Sequence, residues 1–118
     1  MSDDYLILIP PSFEAVHRDA RGRLQLPRDE FRARYELCED MAQMLVDPSQ
    51  AVHHDQGVAE DEILARTQAG LAATESGFSE AEAGWVVTRL AELLGWPHAA
   101  LTAIAAEAPP RGYFRDRT

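Results

Sequence analysis

The chain has 118 residues, of which 46% are hydrophobic, enough for one domain that buries roughly two-thirds of the surface its unfolded chain exposes, which argues against disorder of the whole chain. Twenty acidic residues against eleven basic ones, every one an arginine, give a formal net charge of −9; this weighs against nucleic acid or an anionic membrane as partner and favours a basic or mixed-charge protein. Cys38 is the only cysteine, which excludes an intramolecular disulfide and a Cys-rich zinc site.

The run Tyr5 to Ile9 is apolar and is closed by Pro10 and Pro11, which force an extended backbone. It is short and follows Asp3 and Asp4, so it does not read as a signal peptide, and no segment approaches the roughly 20 apolar residues of a membrane span. The cytoplasm is the expected compartment. A lone strand leaves its backbone groups unpaired, so residues 1–11 are expected to form an extended arm. It either pairs with its copy in a homodimer or lies across helices.

Ser12 is placed to cap a short helix through about Ala20, with Phe13, Val16 and His17 on one side. Arg21-Gly22-Arg23 ends it. Pro27 suits a first helical turn, and the longest helix follows to about Val46. Its stripe is Phe31, Tyr35, Cys38, Ala42 and Leu45, widened by Leu37, Met41 and Met44. Asp47-Pro48 is expected to break this helix and start another through about His53, before a turn at Gly57. Glu60, Asp61 and Glu62 open the next helix in accord with its macrodipole, with Ile63, Leu64, Thr67 and Leu71 inward. Ser79 to Glu82 spells a capping box, and that helix runs to Leu94 with Gly95 as its stop. Pro97 starts an alanine-rich helix to about Ala108, ended by Pro109-Pro110. The sum is an all-α domain over residues 12–108, a bundle of about five helices, between the arm (1–11) and a flexible tail (109–118).

Candidate chemistry is sparse. A phosphate-binding loop needs a lysine to reach the outer phosphates, and there is none, so nucleotide hydrolysis is disfavoured and no cofactor is expected. His53, His54 and nearby carboxylates suggest a small metal-binding or hydrolytic protein as an alternative. Adjacent residues diverge by about 100° on a helix, however, and ligand pairs prefer a spacing of three or four. Cys38 lies in the apolar stripe and reads as a small buried hydrophobe.

The long helix breaks a local rule. Arg28, Arg32 and Arg34 lie near its start and Glu36, Glu39 and Asp40 further on, against the macrodipole preference. Glu36 and Asp40 sit four apart and repel. Such violations point to function: Glu36, Glu39 and Asp40, with Tyr35 at the border, form a candidate partner-binding patch. Trp96, beside Pro97, is a further candidate contact. Gly84, inside a capped helix, suggests a close helix approach.

At Arg34-Tyr35-Glu36-Leu37-Cys38-Glu39-Asp40, at Ser79 to Leu90 (Ser-Glu-Ala-Glu-Ala-Gly-Trp-Val-Val-Thr-Arg-Leu), and at Ile9-Pro10-Pro11-Ser12-Phe13, the chain resembles a family of short uncharacterised proteobacterial proteins. The resemblance covers most of residues 5–96. Members often carry the label "ATPase with chaperone activity", and the family has no established functional residues to transfer. The chaperone half of that label implies a binder; the ATPase half has no phosphate-binding loop here to rest on.

The sequence thus leads to a non-enzymatic acidic protein-binding module, an adaptor, regulator or chaperone-like partner in the bacterial cytoplasm. A third reading, an acidic inhibitor mimicking nucleic acid, requires acids along one continuous face, whereas these are dispersed among helix starts.

Overall fold

The computed structural model describes residues 9–73 and 75–98. Most of the expected arm, the alanine-rich helix beyond His98 and the tail lie outside them. Among the described residues the protein is all-α, with four helices rather than about five: α1 (Pro11–Val16), α2 (Arg28–Gln56), α3 (Glu60–Ala72) and α4 (Glu80–Leu94). None is long and apolar enough to cross a membrane.

α1 is shorter than its apolar spacing suggested. Pro10 is its N-cap and Pro11 its first residue, so Ser12 is not the cap. The Asp19 carboxylate ends the helical path by accepting from the backbone N–H groups of Arg21 and Arg23, each at 2.9 Å. That turn closes through Gly22 at φ 82°, a conformation that favours glycine, and is pinned by a bridge between Arg18 and Leu24.

The expected break at Asp47-Pro48 does not occur. α2 continues through Pro48 for 29 residues to Gln56, merging two expected helices into one. An interior proline costs about 3 kcal/mol of helix stability. Here both flanking turns are held by the core, with Ala42 and Ser49 buried and Val52 packed against it. Tertiary packing of a helix face outweighs local propensity. Gly57, in the left-handed region at φ 69°, then closes α2 and donates its N–H to the His53 carbonyl.

The capping box of α4 forms as expected: Ser79 Oγ accepts from the Glu82 N–H and Glu82 Oε1 accepts from the Ser79 N–H, both at 3.0 Å. α4 is the central element and packs against all three other helices. Its residues Trp85, Val86, Val87 and Leu90 are buried. Phe13 of α1, completely buried, sits edge-on to Trp85 and Tyr35, with centroids 5.1 and 5.5 Å away, and tilts against Phe31 at 5.5 Å. Such offset aromatic packing fixes a short helix that could not persist alone.

Gly84 does not mark a tight helix crossing. The nearest atom to a Cβ built there is the side-chain amide nitrogen of Gln68, at 3.6 Å, an ordinary contact.

Candidate functional site

The densest polar arrangement forms around Glu82, the residue that completes the α4 capping box. It is only 2% exposed, and burying an unpaired carboxylate is costly. Four donors converge on it. Arg34 of α2 gives Nε at 3.0 Å and Nη2 at 2.7 Å, Ser79 gives its backbone N–H at 3.0 Å, and His17, just past α1, gives Nε2 at 2.9 Å. Burial pushes the Glu82 carboxyl up, but these hydrogen bonds and the Arg34 charge outweigh it and hold the group down at about 2. The Glu82 bond in turn raises the Arg34 guanidinium against its own burial. Arg34 also donates to the Gly77 carbonyl at 2.7 Å and lies over the Phe78 ring. The node ties three helices together, and every donor and acceptor named in it is used within the fold.

A second ion pair crosses the same interface. Arg89 of α4 holds Glu39 through Nε at 2.9 Å and Nη2 at 3.0 Å, and holds Glu92 through Nη1 at 2.9 Å. Burial pushes Glu39 up, yet the bonds from Arg89 and Gln43 leave it lowered overall. Burial, reinforced by the Glu39 charge, raises Tyr35. Tyr35, Glu39, Trp85, Arg89 and Glu92 line a cleft of about 550 Å³ between α1, α2 and α4. Its charged groups already satisfy one another, and the Trp85 indole N–H is taken by Ser12 Oγ at 2.9 Å.

The candidate patch is therefore divided. Tyr35 and Glu39 belong to the cleft, and Glu39 is engaged by Arg89. Glu36 and Asp40 are exposed on the outer face of α2. Trp96, expected at an open corner, is 9% exposed and packs on the His53 ring at 5.2 Å.

The outer face of α2 carries more than acids. Leu37 and Met44, assigned from sequence to the core stripe, are 43% and 68% exposed. Leu37 precedes buried Cys38 by one position and Met44 follows buried Ala42 by two, so both turn away from the line of Phe31, Cys38 and Ala42. Beside them Glu36, Asp40, Gln43 and Asp47 are exposed.

The histidine reading fares differently. His53 Nδ1 donates to the Val58 carbonyl at 2.7 Å, and its Nε2 faces Glu60 at 3.8 Å. His54 is exposed, with its ring 5.3 Å from that of His53. Among the described residues no three or more His, Cys, Asp or Glu side chains are grouped to hold a metal ion. Cys38 is buried and its thiol is pushed up to about 12, by burial first and the Glu82 charge second, against the opposing effect of Arg34.

Sequence reasoning missed the long-range roles of Arg34, Glu82, His17 and Arg89. Glu82 was visible only as a cap, because its capping partner is local while Arg34 lies 48 residues away. One signal was present: Glu82 adjoins Ala83, Trp85 and Val86 on a helix face that buries almost everything.

No family model matches the chain, and searches of curated proteins and of solved structures find no match either.

Proposed function

We propose that this chain is a non-enzymatic, acidic protein-binding module, an adaptor, regulator or chaperone-like partner, and that it takes its partner on the outer face of α2. The observation that carries this reading is the exposure of Leu37 and Met44 on one face of a helix whose neighbouring exposed positions include Glu36, Asp40 and Asp47. Single exposed apolar residues are common and need no explanation. Two on one helical line, with acids alongside, make an anchor that desolvates on binding and charges that steer a basic partner towards it. The cleft supports a catalytic reading less well. Its carboxylates Glu39 and Glu92 are held by Arg89, and a poised general base needs a raised pKa, whereas that of Glu39 is lowered.

The test is affinity capture from native extract at low and moderate salt, read by mass spectrometry. Wild type is compared with Leu37→Arg/Met44→Arg and with Glu36→Arg/Asp40→Arg. All four positions are exposed or nearly half-exposed, so circular dichroism should show both variants folded. A stoichiometric partner, weakened by salt and lost from both variants, is the expected result. Equal recovery by wild type and variants removes α2 from consideration; recovery of the protein with only a small molecule overturns the binding-module reading.

A further inference from the structure

The outer face of α2 is longer than its two large residues. Ala33, Leu37, Met44, Pro48 and Ala51 are all exposed. Their steps of four, seven, four and three residues return to the same side of a helix with 3.6 residues per turn. At 1.5 Å per residue this ridge is about 27 Å long, or five turns. Glu36, Asp40 and Asp47 form a parallel acidic row along one edge. Along the other edge Met41, Leu45 and Val52 are partly buried and packed against the core, so the ridge merges with the core surface there. Pro48 lies on the ridge and has no N–H to give the Met44 carbonyl, which denies that acceptor its usual helical donor.

From this, and resting on the binding reading above, we infer that the partner presents a basic amphipathic helix of about five turns that lies along α2. The apolar ridge takes the partner's apolar stripe, as an amphipathic helix is read through anchors spaced three, four and seven residues apart. Met41 and Met44 are unbranched and adjust to the shape of what lands on them. The acidic row along one edge selects a row of arginines or lysines on the corresponding edge of the partner helix. An antiparallel second copy of this chain fits badly. Two α2 helices packed antiparallel through the ridge would bring each acidic row against its own copy, and like charges set against each other disfavour pairing.

The experiment uses the full chain with ¹³C-methyl methionine and three synthetic 18-residue peptides. The first places leucine and arginine at amphipathic helical spacing. The second has the same composition, scrambled to destroy the stripe. The third replaces arginine by glutamate. The first peptide should become helical and shift the Met41 and Met44 methyl signals. The scrambled peptide should bind at least about tenfold more weakly, and the acidic one not at all, as expected where both stripe and charge are read. Leu37→Glu/Met44→Glu should abolish binding of the first peptide, and Glu36→Arg/Asp40→Arg should weaken it about tenfold or more. Equal binding of the scrambled peptide would reduce the effect to charge alone and overturn the inference. So would unmoved methionine methyls with shifts confined to the cleft. If the native partner is lost from Leu37→Arg/Met44→Arg while the amphipathic peptide leaves the methyls unmoved, the helical partner is refuted and the binding surface stands. If neither partner nor peptide depends on α2, both readings fall.

Discussion

Removing the charge from Glu82 isolates the node that joins α1, α2 and α4. Glu82→Gln keeps the side-chain length, and glutamine can still accept the Ser79 N–H at the helix start. It leaves the Arg34 guanidinium, with its side chain 30% exposed, without a carboxylate. A carboxyl held at about 2 rather than its ordinary 4.5 corresponds to about 3 kcal/mol of extra stability when ionised, at 1.36 kcal/mol per pH unit. Because the folded value is the lower one, this stability is fully present above about pH 4.5 and is lost as the pH falls towards about 2. Urea unfolding at pH 7 should therefore place Glu82→Gln about 2–3 kcal/mol below wild type, and the gap should close as the pH approaches 2. Comparing the two proteins at each pH cancels the carboxylates they share. A deficit under about 1 kcal/mol at pH 7, or one of constant size down to pH 2, would refute the reasoning.

Four further outcomes follow from the same packing. Pro48→Ala should stabilise the protein by about 1–2 kcal/mol in urea unfolding, because it restores a donor within a continuous helix at an exposed position; a neutral or destabilising result would mean the proline is accommodated without cost. Gly84→Ala should add about 0.5–1 kcal/mol, since its Cβ meets nothing closer than 3.6 Å, and a loss in thermal stability would show that α3 and α4 need the methyl to be absent. Arg89→Ala should cost about 1–2 kcal/mol by stripping Glu39 of its paired donor, with a double-mutant cycle against Glu39→Gln recovering most of it and additive effects contradicting the pairing. Cys38, buried with its thiol at about 12, should be alkylated by iodoacetamide at pH 8 at least about a hundredfold more slowly in the folded protein than in urea, and prompt labelling in the folded state would show that the site opens.

The capping box at Ser79 and the stop at Gly95 were legible because both are local: the residues that signal them satisfy the backbone within a few positions. The break at Pro48 was misread for the opposite reason. Its penalty is local, but the packing of Ala42, Ser49 and Val52 that offsets it comes from other elements. The arginine-to-acid polarity of α2 was read as one anomaly and proves to have two causes. Arg34 and Glu39 serve Glu82 and Arg89 across the α2–α4 interface, so their placement against the macrodipole is offset by tertiary ion pairs. Among the described residues Glu36 and Asp40 make no such pairing, and they remain exposed, four residues apart, on the helix face that also exposes Leu37 and Met44. Fold stability accounts for the first pair of departures from local preference. It does not account for the second, where repelling carboxylates and solvated apolar side chains share one surface at a cost to the isolated chain. A basic, apolar partner helix would relieve both costs at once, which is why the outer face of α2, rather than the satisfied cleft beside it, is the place to look for function.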